Sequence, residues 1–106
     1  MHCDWVNISI PDSSYDEVYS ELMPILYNLG ELHAVRLAQS VLYRFAGSTG
    51  TFKETSKKGF TIFGASGAFL GLLRANGSFD DYLSCFAGRP HRVTKMDVAH
   101  DVPVDA

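Results

Sequence analysis

The run Arg92-Val93-Thr94-Lys95-Met96-Asp97-Val98-Ala99-His100-Asp101 sets two carboxylates in an otherwise apolar, β-prone stretch near the end of the chain. As a strand it alternates, sending Val93, Lys95, Asp97, Ala99 and Asp101 to one face and Arg92, Thr94, Met96, Val98 and His100 to the other. A carboxylate among packed apolar side chains is costly unless it is paired, hydrogen-bonded or bound to a metal. Asp97 and Asp101 are therefore the first candidates for chemistry. At roughly 3.3 Å per residue a regular strand holds them about 13 Å apart, too far to share one ion. Only a bulge, or the end of the strand at Val102-Pro103, brings them together, so Asp97 is the stronger candidate. The plainer reading pairs Asp97 with Lys95 or with an arginine on a neighbouring strand.

Other chemistries find less support. Gly64-Ala65-Ser66-Gly67 lacks the Gly-Lys-Ser/Thr of a phosphate loop. The histidines, His2, His33, His91 and His100, show no metal-ligand spacing. Ser66 and Cys85 have no His and Asp partners in a recognisable triad order. Tyr15, Tyr19, Tyr27, Tyr43 and Tyr82 read as packing residues, none with an adjacent base to activate a phenol.

The elements that would position these residues follow from periodicity. Val6, Ile8 and Ile10 alternate with Asn7 and Ser9 up to Pro11, a half-buried strand. Ser14-Tyr15-Asp16-Glu17 has the form of a capping box, and Val18, Leu22, Ile25, Leu26 and Leu29 make one helical stripe that Gly30 stops and Pro24 should kink. His33 to Gln39 fits helix or extended chain, and a strand is expected from about Ser40 through Phe45. Gly47-Ser48-Thr49-Gly50 and Lys57-Lys58-Gly59 are turn signals. Phe60–Phe63 and Phe69–Ala75 read as two strands joined by a hairpin at Gly64–Gly67. Asn76-Gly77 ends the second, and Ser78 caps a short helix carrying Phe79, Tyr82, Leu83 and Phe86. The expected order is β-α-β-β-β-α-β, an α+β fold with two helices on one side of a mainly antiparallel sheet.

At 106 residues the chain is one domain, and with 46% hydrophobic and 20% charged residues it can bury a core. No apolar run approaches the roughly 20 residues of a membrane span, and no signal peptide precedes Cys3 and Cys85, so a reduced, cytoplasmic protein is expected. The net charge of −3 is unevenly spread. Residues 1–52 hold two basic and six acidic side chains, whereas residues 53–95 hold seven basic against three acidic. A local patch, not net charge, is what meets a phosphate backbone. The plainer alternative is a scatter of solubilising charge.

Three stretches together resemble a family. Asp4-Trp5-Val6-Asn7-Ile8-Ser9-Ile10, Gly64-Ala65-Ser66-Gly67 and the closing Arg92 to Asp101 run are similar to the N-terminal part of rolling-circle replication initiators of the Rep_trans type, found in small plasmids and filamentous phages. That family often opens with an Asp-Trp-hydrophobic strand and carries a later Arg-Leu-Asp-Leu-Ala-x-Asp strand. Here lysine and methionine precede Asp97, and His100 fills the variable position. The resemblance implies a metal-dependent endonuclease that nicks origin DNA, single-stranded or in a hairpin, through a tyrosine. It implies Mg²⁺ or Mn²⁺ as cofactor, with Asp97 and then Asp101 as ligands, since hard cations prefer oxygen. Family members continue beyond this motif, and residues 1–106 are then expected to be an N-terminal fragment without the nucleophile.

Arg89, Arg92 and Lys95 are the expected DNA contacts. A second reading is a small non-enzymatic phage or plasmid protein that forms a homodimer or binds a partner, with Phe60–Phe63 or Phe69–Ala75 pairing at an exposed edge. A third is a metal-free single-stranded DNA binder stacking bases on Phe60, Phe63 or Phe69.

Overall fold

The computed structural model describes residues 4–97. Cys3, His100 and Asp101 lie outside that range. The elements are β1 (Asp4–Pro11), α1 (Asp12–Tyr27), β2 (Leu32–Arg36), β3 (Ser40–Phe45), β4 (Thr51–Lys57), β5 (Phe60–Ser66), α2 (Gly67–Ala75), α3 (Phe79–Ser84) and β6 (Arg92–Asp97). The strands form one sheet, antiparallel throughout, in the order β2-β3-β4-β5-β1-β6. The fold is α+β, as expected, with one more strand and one more helix than the sequence reading gives.

One face of the sheet is covered. Ile8 and Ile10 of β1, Phe63 and Ala65 of β5, Phe52 of β4 and Tyr43 and Phe45 of β3 are buried against Val18, Leu22 and Leu26 of α1, Phe69 and Leu73 of α2, and Tyr82 and Phe86 beyond it. Its centre is aromatic: Phe52 lies 5.0 Å from Phe69 and 5.8 Å from Phe63 between ring centroids, and Tyr82 meets Phe69 edge-on at 5.8 Å. Such pairs add directional attraction to the burial of area.

Two segments differ from the sequence reading. Phe69–Ala75 is not a strand but the body of α2, and Gly64–Gly67 is not a hairpin but a strand end running into a helix. The Ser66 hydroxyl makes that switch, accepting a hydrogen bond from the Phe69 amide at 3.1 Å as an N-cap. It also accepts from the Thr51 amide at 3.0 Å, fastening the start of β4 to the same point. Phe69 and Leu73, four apart, then fall on one buried stripe. The second segment is β4 itself, where turn residues are followed by a full strand.

α1 begins at Asp12, two residues before the expected capping box; Pro11 occupies the N-cap position and Ser14 is buried inside the first turn. The Asp12 amide donates to the Gly59 carbonyl at 3.2 Å, so a backbone group of the β4–β5 turn serves the helix end. The helix runs through Pro24 to Tyr27.

Candidate functional site

Cross-strand partners in an antiparallel sheet share a face. The register therefore assigns one continuous series to the face opposite the helices. Trp5, Asn7 and Ser9 of β1 are opposite Ser66, Gly64 and Ile62, and Ser9 is opposite Arg92 on its other side. Lys53, Thr55 and Lys57 of β4 are opposite Gly64, Ile62 and Phe60, and Leu42 and Arg44 of β3 continue the series. None of these side chains belongs to the core cluster.

Arg44, Lys53, Lys57 and Arg92 are all exposed on this face. Among the described residues no Asp or Glu occupies a position in the series. Most of the exposed carboxylates belong to the helices, Asp12, Asp16, Glu17 and Glu21 on α1 and Asp80 and Asp81 on α3, whereas Glu31, in the loop before β2, lies 3.7 Å from His33, the register partner of Arg44. A chain with net charge −3 thus gathers four cations on one face of its sheet.

This face also carries aromatic surface. The Trp5 indole and the Asn7 amide lie across Gly64, where a Cβ would come within 3.4 Å of Trp5 Cε3 and 2.8 Å of Asn7 Oδ1. Gly64 thereby leaves room for the Asn7 amide, with the Trp5 ring at van der Waals distance over the sheet. Phe60 is 39% exposed. Of the phenylalanines expected to stack on bases, Phe63 and Phe69 are instead fully buried in the core, and Phe60 is the one on the open face. The strand Phe60–Phe63 lies inside the sheet between β4 and β1, so it offers no edge for pairing, and Phe69–Ala75 is helical.

The expected DNA contacts separate. Arg92 joins the cationic face. Lys95 is in register with Val6, outside the Trp5, Asn7, Ser9 series. Arg89 packs on the helical side, where its guanidinium donates to Glu17 Oε1 at 3.2 Å, to Glu21 at 2.7 Å and to the Cys85 carbonyl at 2.8 Å. These bonds hold the Glu21 carboxyl below its usual range and leave Arg89 engaged with α1. Asp97 ends β6 in register with Asp4. Among the described residues no group of three His, Cys, Asp or Glu side chains is placed to hold a metal ion. Cys85 is buried and free; burial, first of all, pushes its thiol up to about 11.

On the helical side the structure holds a feature that the sequence reading misses. Glu54, at the middle of β4, points inward and is only 8% exposed. Tyr15 donates to its Oε2 at 2.6 Å and Tyr43 to its Oε1 at 3.4 Å. The tyrosines therefore do include two with a carboxylate beside the phenol. Burial above all, and then Glu54 itself, pushes both phenols well above their usual range, so they remain donors and not phenolates at neutral pH. This cluster floors a cleft of about 580 Å³ between α1 and the β2–β3 turn.

No family model matches the chain, and no curated protein or solved structure matches it. Among the described residues no helix is long and apolar enough to cross a membrane.

Proposed function

We propose that the chain is a DNA-binding domain of the rolling-circle initiator kind, and that it meets DNA with the open face of its sheet. The observation that carries this reading is the grouping of cations: Arg44, Lys53, Lys57 and Arg92 share a face whose strand positions, among the described residues, hold no carboxylate. Phosphates gain from cations that are not already neutralised, and none of these four is in an ion pair among the described residues. Trp5 and Phe60 on the same face offer rings to unstacked bases, which favours single-stranded DNA or the loop of a hairpin over intact duplex.

Asp97, with Asp101 second, completes this reading as a ligand for Mg²⁺ or Mn²⁺, supported by the resemblance of the Arg92 to Asp101 run to the initiator motif. The direct test is fluorescence anisotropy with a single-stranded oligonucleotide, a hairpin and a duplex, each across a salt series. Binding that weakens steeply with salt and is reduced in Lys53→Gln supports the reading. Equal anisotropy of wild type and variant at low salt rejects it. Mn²⁺ binding that disappears in Asp97→Ala supports the metal part separately.

One observation favours a non-enzymatic second reading. β2 is an edge strand, paired only with β3, and Val35 and Leu37 at its end are 47% and 49% exposed. Edge pairing of two copies through β2 would form a homodimer without bringing the two cationic faces together. Sedimentation at increasing concentration, without DNA, distinguishes this reading.

A further inference from the structure

A buried carboxylate needs compensation, and Glu54 is compensated only in part. Its two phenol partners supply hydrogen bonds but no positive charge, and no salt bridge joins it to a cation among the described residues. A carboxylate can accept about four hydrogen bonds, so capacity remains beyond these two. The cleft above it is lined by acidic and aromatic groups: Asp12, Asp16 and Tyr19 stand on α1 at helical spacing with Tyr15, and Tyr15 and Tyr19 stack at 5.5 Å. Arg36, exposed at the rim, is the one cationic side chain in that lining.

We propose that this cleft binds a small organic cation, an alkylammonium or guanidinium head, whose charge is received by Glu54 and whose carbon chain lies against Tyr15 and Tyr19. The chemistry fits each wall. A carboxylate at the end of a half-enclosed space binds a cation more strongly than one in open water, because less solvent screens it. Tyrosine faces attract cations through their ring quadrupole. Asp12 and Asp16 at the mouth add attraction on approach. The raised phenols of Tyr15 and Tyr43 stay protonated, so they orient the carboxylate without competing for the cation. Arg36 at the rim repels an incoming cation and so limits affinity. The site lies on the opposite side of β4 from Lys53 and is independent of the DNA-binding reading.

The test is an amide NMR titration of the folded domain at fixed ionic strength. Agmatine serves as the free amine and the blocked peptide acetyl-Gly-Arg-Gly-amide presents the same head as a side chain, with sodium chloride as the control. Saturable shifts confined to amides around Gln39, Ser56 and Thr61 are expected. Response to agmatine alone identifies a free metabolite-sized amine as ligand. Response to the peptide alone identifies an arginine side chain, and response to both identifies recognition of the head itself.

Glu54→Gln, which retains an acceptor for the phenols, should bind at least about tenfold more weakly. Asp16→Asn, at an exposed position that does not threaten the fold, should weaken binding about twofold to threefold. Arg36→Gln should tighten it. No saturable response from wild type, or equal binding by Glu54→Gln and Asp16→Asn, overturns the proposal. Binding that appears only in Arg36→Gln assigns the counter-charge to Arg36 and overturns it equally.

Discussion

Tyr15 donates a 2.6 Å hydrogen bond to Glu54, tying the first turn of α1 to the middle of β4 across 39 positions of sequence. With Tyr43 on the carboxylate's other oxygen, the pair makes folding sensitive to alkali. Unfolded phenols titrate near 10, whereas the folded Tyr15 and Tyr43 keep their protons to higher pH. Above pH 10 the native state therefore binds more protons than the unfolded one, and stability present below that pH is lost as pH rises. The slope is up to about 1.4 kcal/mol per pH unit for each such phenol, less for Tyr15, which retains contact with solvent. Urea unfolding between about pH 8 and 11.5 should show a plateau and then a fall that begins near the phenol pKa. Tyr43→Phe should lower the plateau and flatten the fall. A fall equally steep in Tyr43→Phe would show that other groups carry it.

Tyr82 presents the opposite case. Its ring is enclosed by Phe52, Phe69 and Phe86, it is 1% exposed, and its hydroxyl has no hydrogen-bond partner among the described residues. A buried hydroxyl without a partner costs roughly 1–3 kcal/mol. Tyr82→Phe keeps the edge-to-face contacts and removes that atom, so it should raise stability by about 1 kcal/mol. A drop in the urea midpoint of this variant would reveal a partner for the hydroxyl.

Two glycines stand at close approaches, and one of them is required. A Cβ on Gly50 would come within 2.9 Å of the Phe69 Cα and 3.0 Å of its amide nitrogen, both backbone atoms fixed by the N-cap of α2. Gly50→Ala must push β4 and α2 apart and should cost on the order of 1–3 kcal/mol. At Gly64 the obstructing atom is Asn7 Oδ1, at the end of a side chain that can turn, while Trp5 Cε3 stays at van der Waals distance. Gly64→Ala should leave most of the stability intact, turning the Asn7 amide aside and leaving the emission of the chain's single tryptophan unchanged. A large loss of stability, or a shifted emission spectrum, would contradict the placement of Asn7 and Trp5 across Gly64.

The elements legible in the sequence are those whose pattern and packing agree. β1 alternates Val6, Ile8 and Ile10 against polar partners, and Val18, Leu22 and Leu26 repeat at helical spacing; both elements form where expected. β4 is obscured by the residue that makes it interesting. Its inward series is Phe52, Glu54 and Ser56, so a carboxylate stands where alternation calls for an apolar side chain, and the period is lost. α2 is obscured differently: Phe69-Leu70-Gly71-Leu72-Leu73 is a short apolar run that suits strand or helix, and the cap at Ser66 lacks the glutamate that completes a capping box. The charge asymmetry between the two halves of the chain is visible in sequence, but its resolution into one cationic face depends on strand register. Lys53 and Lys57 belong together only once Thr51–Lys57 is known to be a strand.

The contrast between Lys53 and Arg89 gives the proposed interface its sharpest check. Both are cations of the locally basic half of the chain. Lys53 stands exposed on the open face in register with Gly64, beside the Trp5 indole, whereas Arg89 is held by Glu17, Glu21 and the Cys85 carbonyl on the helical side. For single-stranded DNA the logarithm of affinity falls with the logarithm of salt by about 0.7 for each phosphate neutralised. Lys53→Gln and Arg44→Gln should each reduce that slope by about 0.7, with little change in the urea midpoint. Arg89→Gln should leave the slope unchanged and lower the urea midpoint at neutral pH. Because Arg89 lowers the Glu21 pKa, that loss should shrink as acid protonates the carboxylate, since the stability a depressed acid contributes is present above its unfolded pKa and lost as pH falls. A salt slope that falls in Arg89→Gln and not in Lys53→Gln would move the DNA to the helical side and end the case for the open sheet.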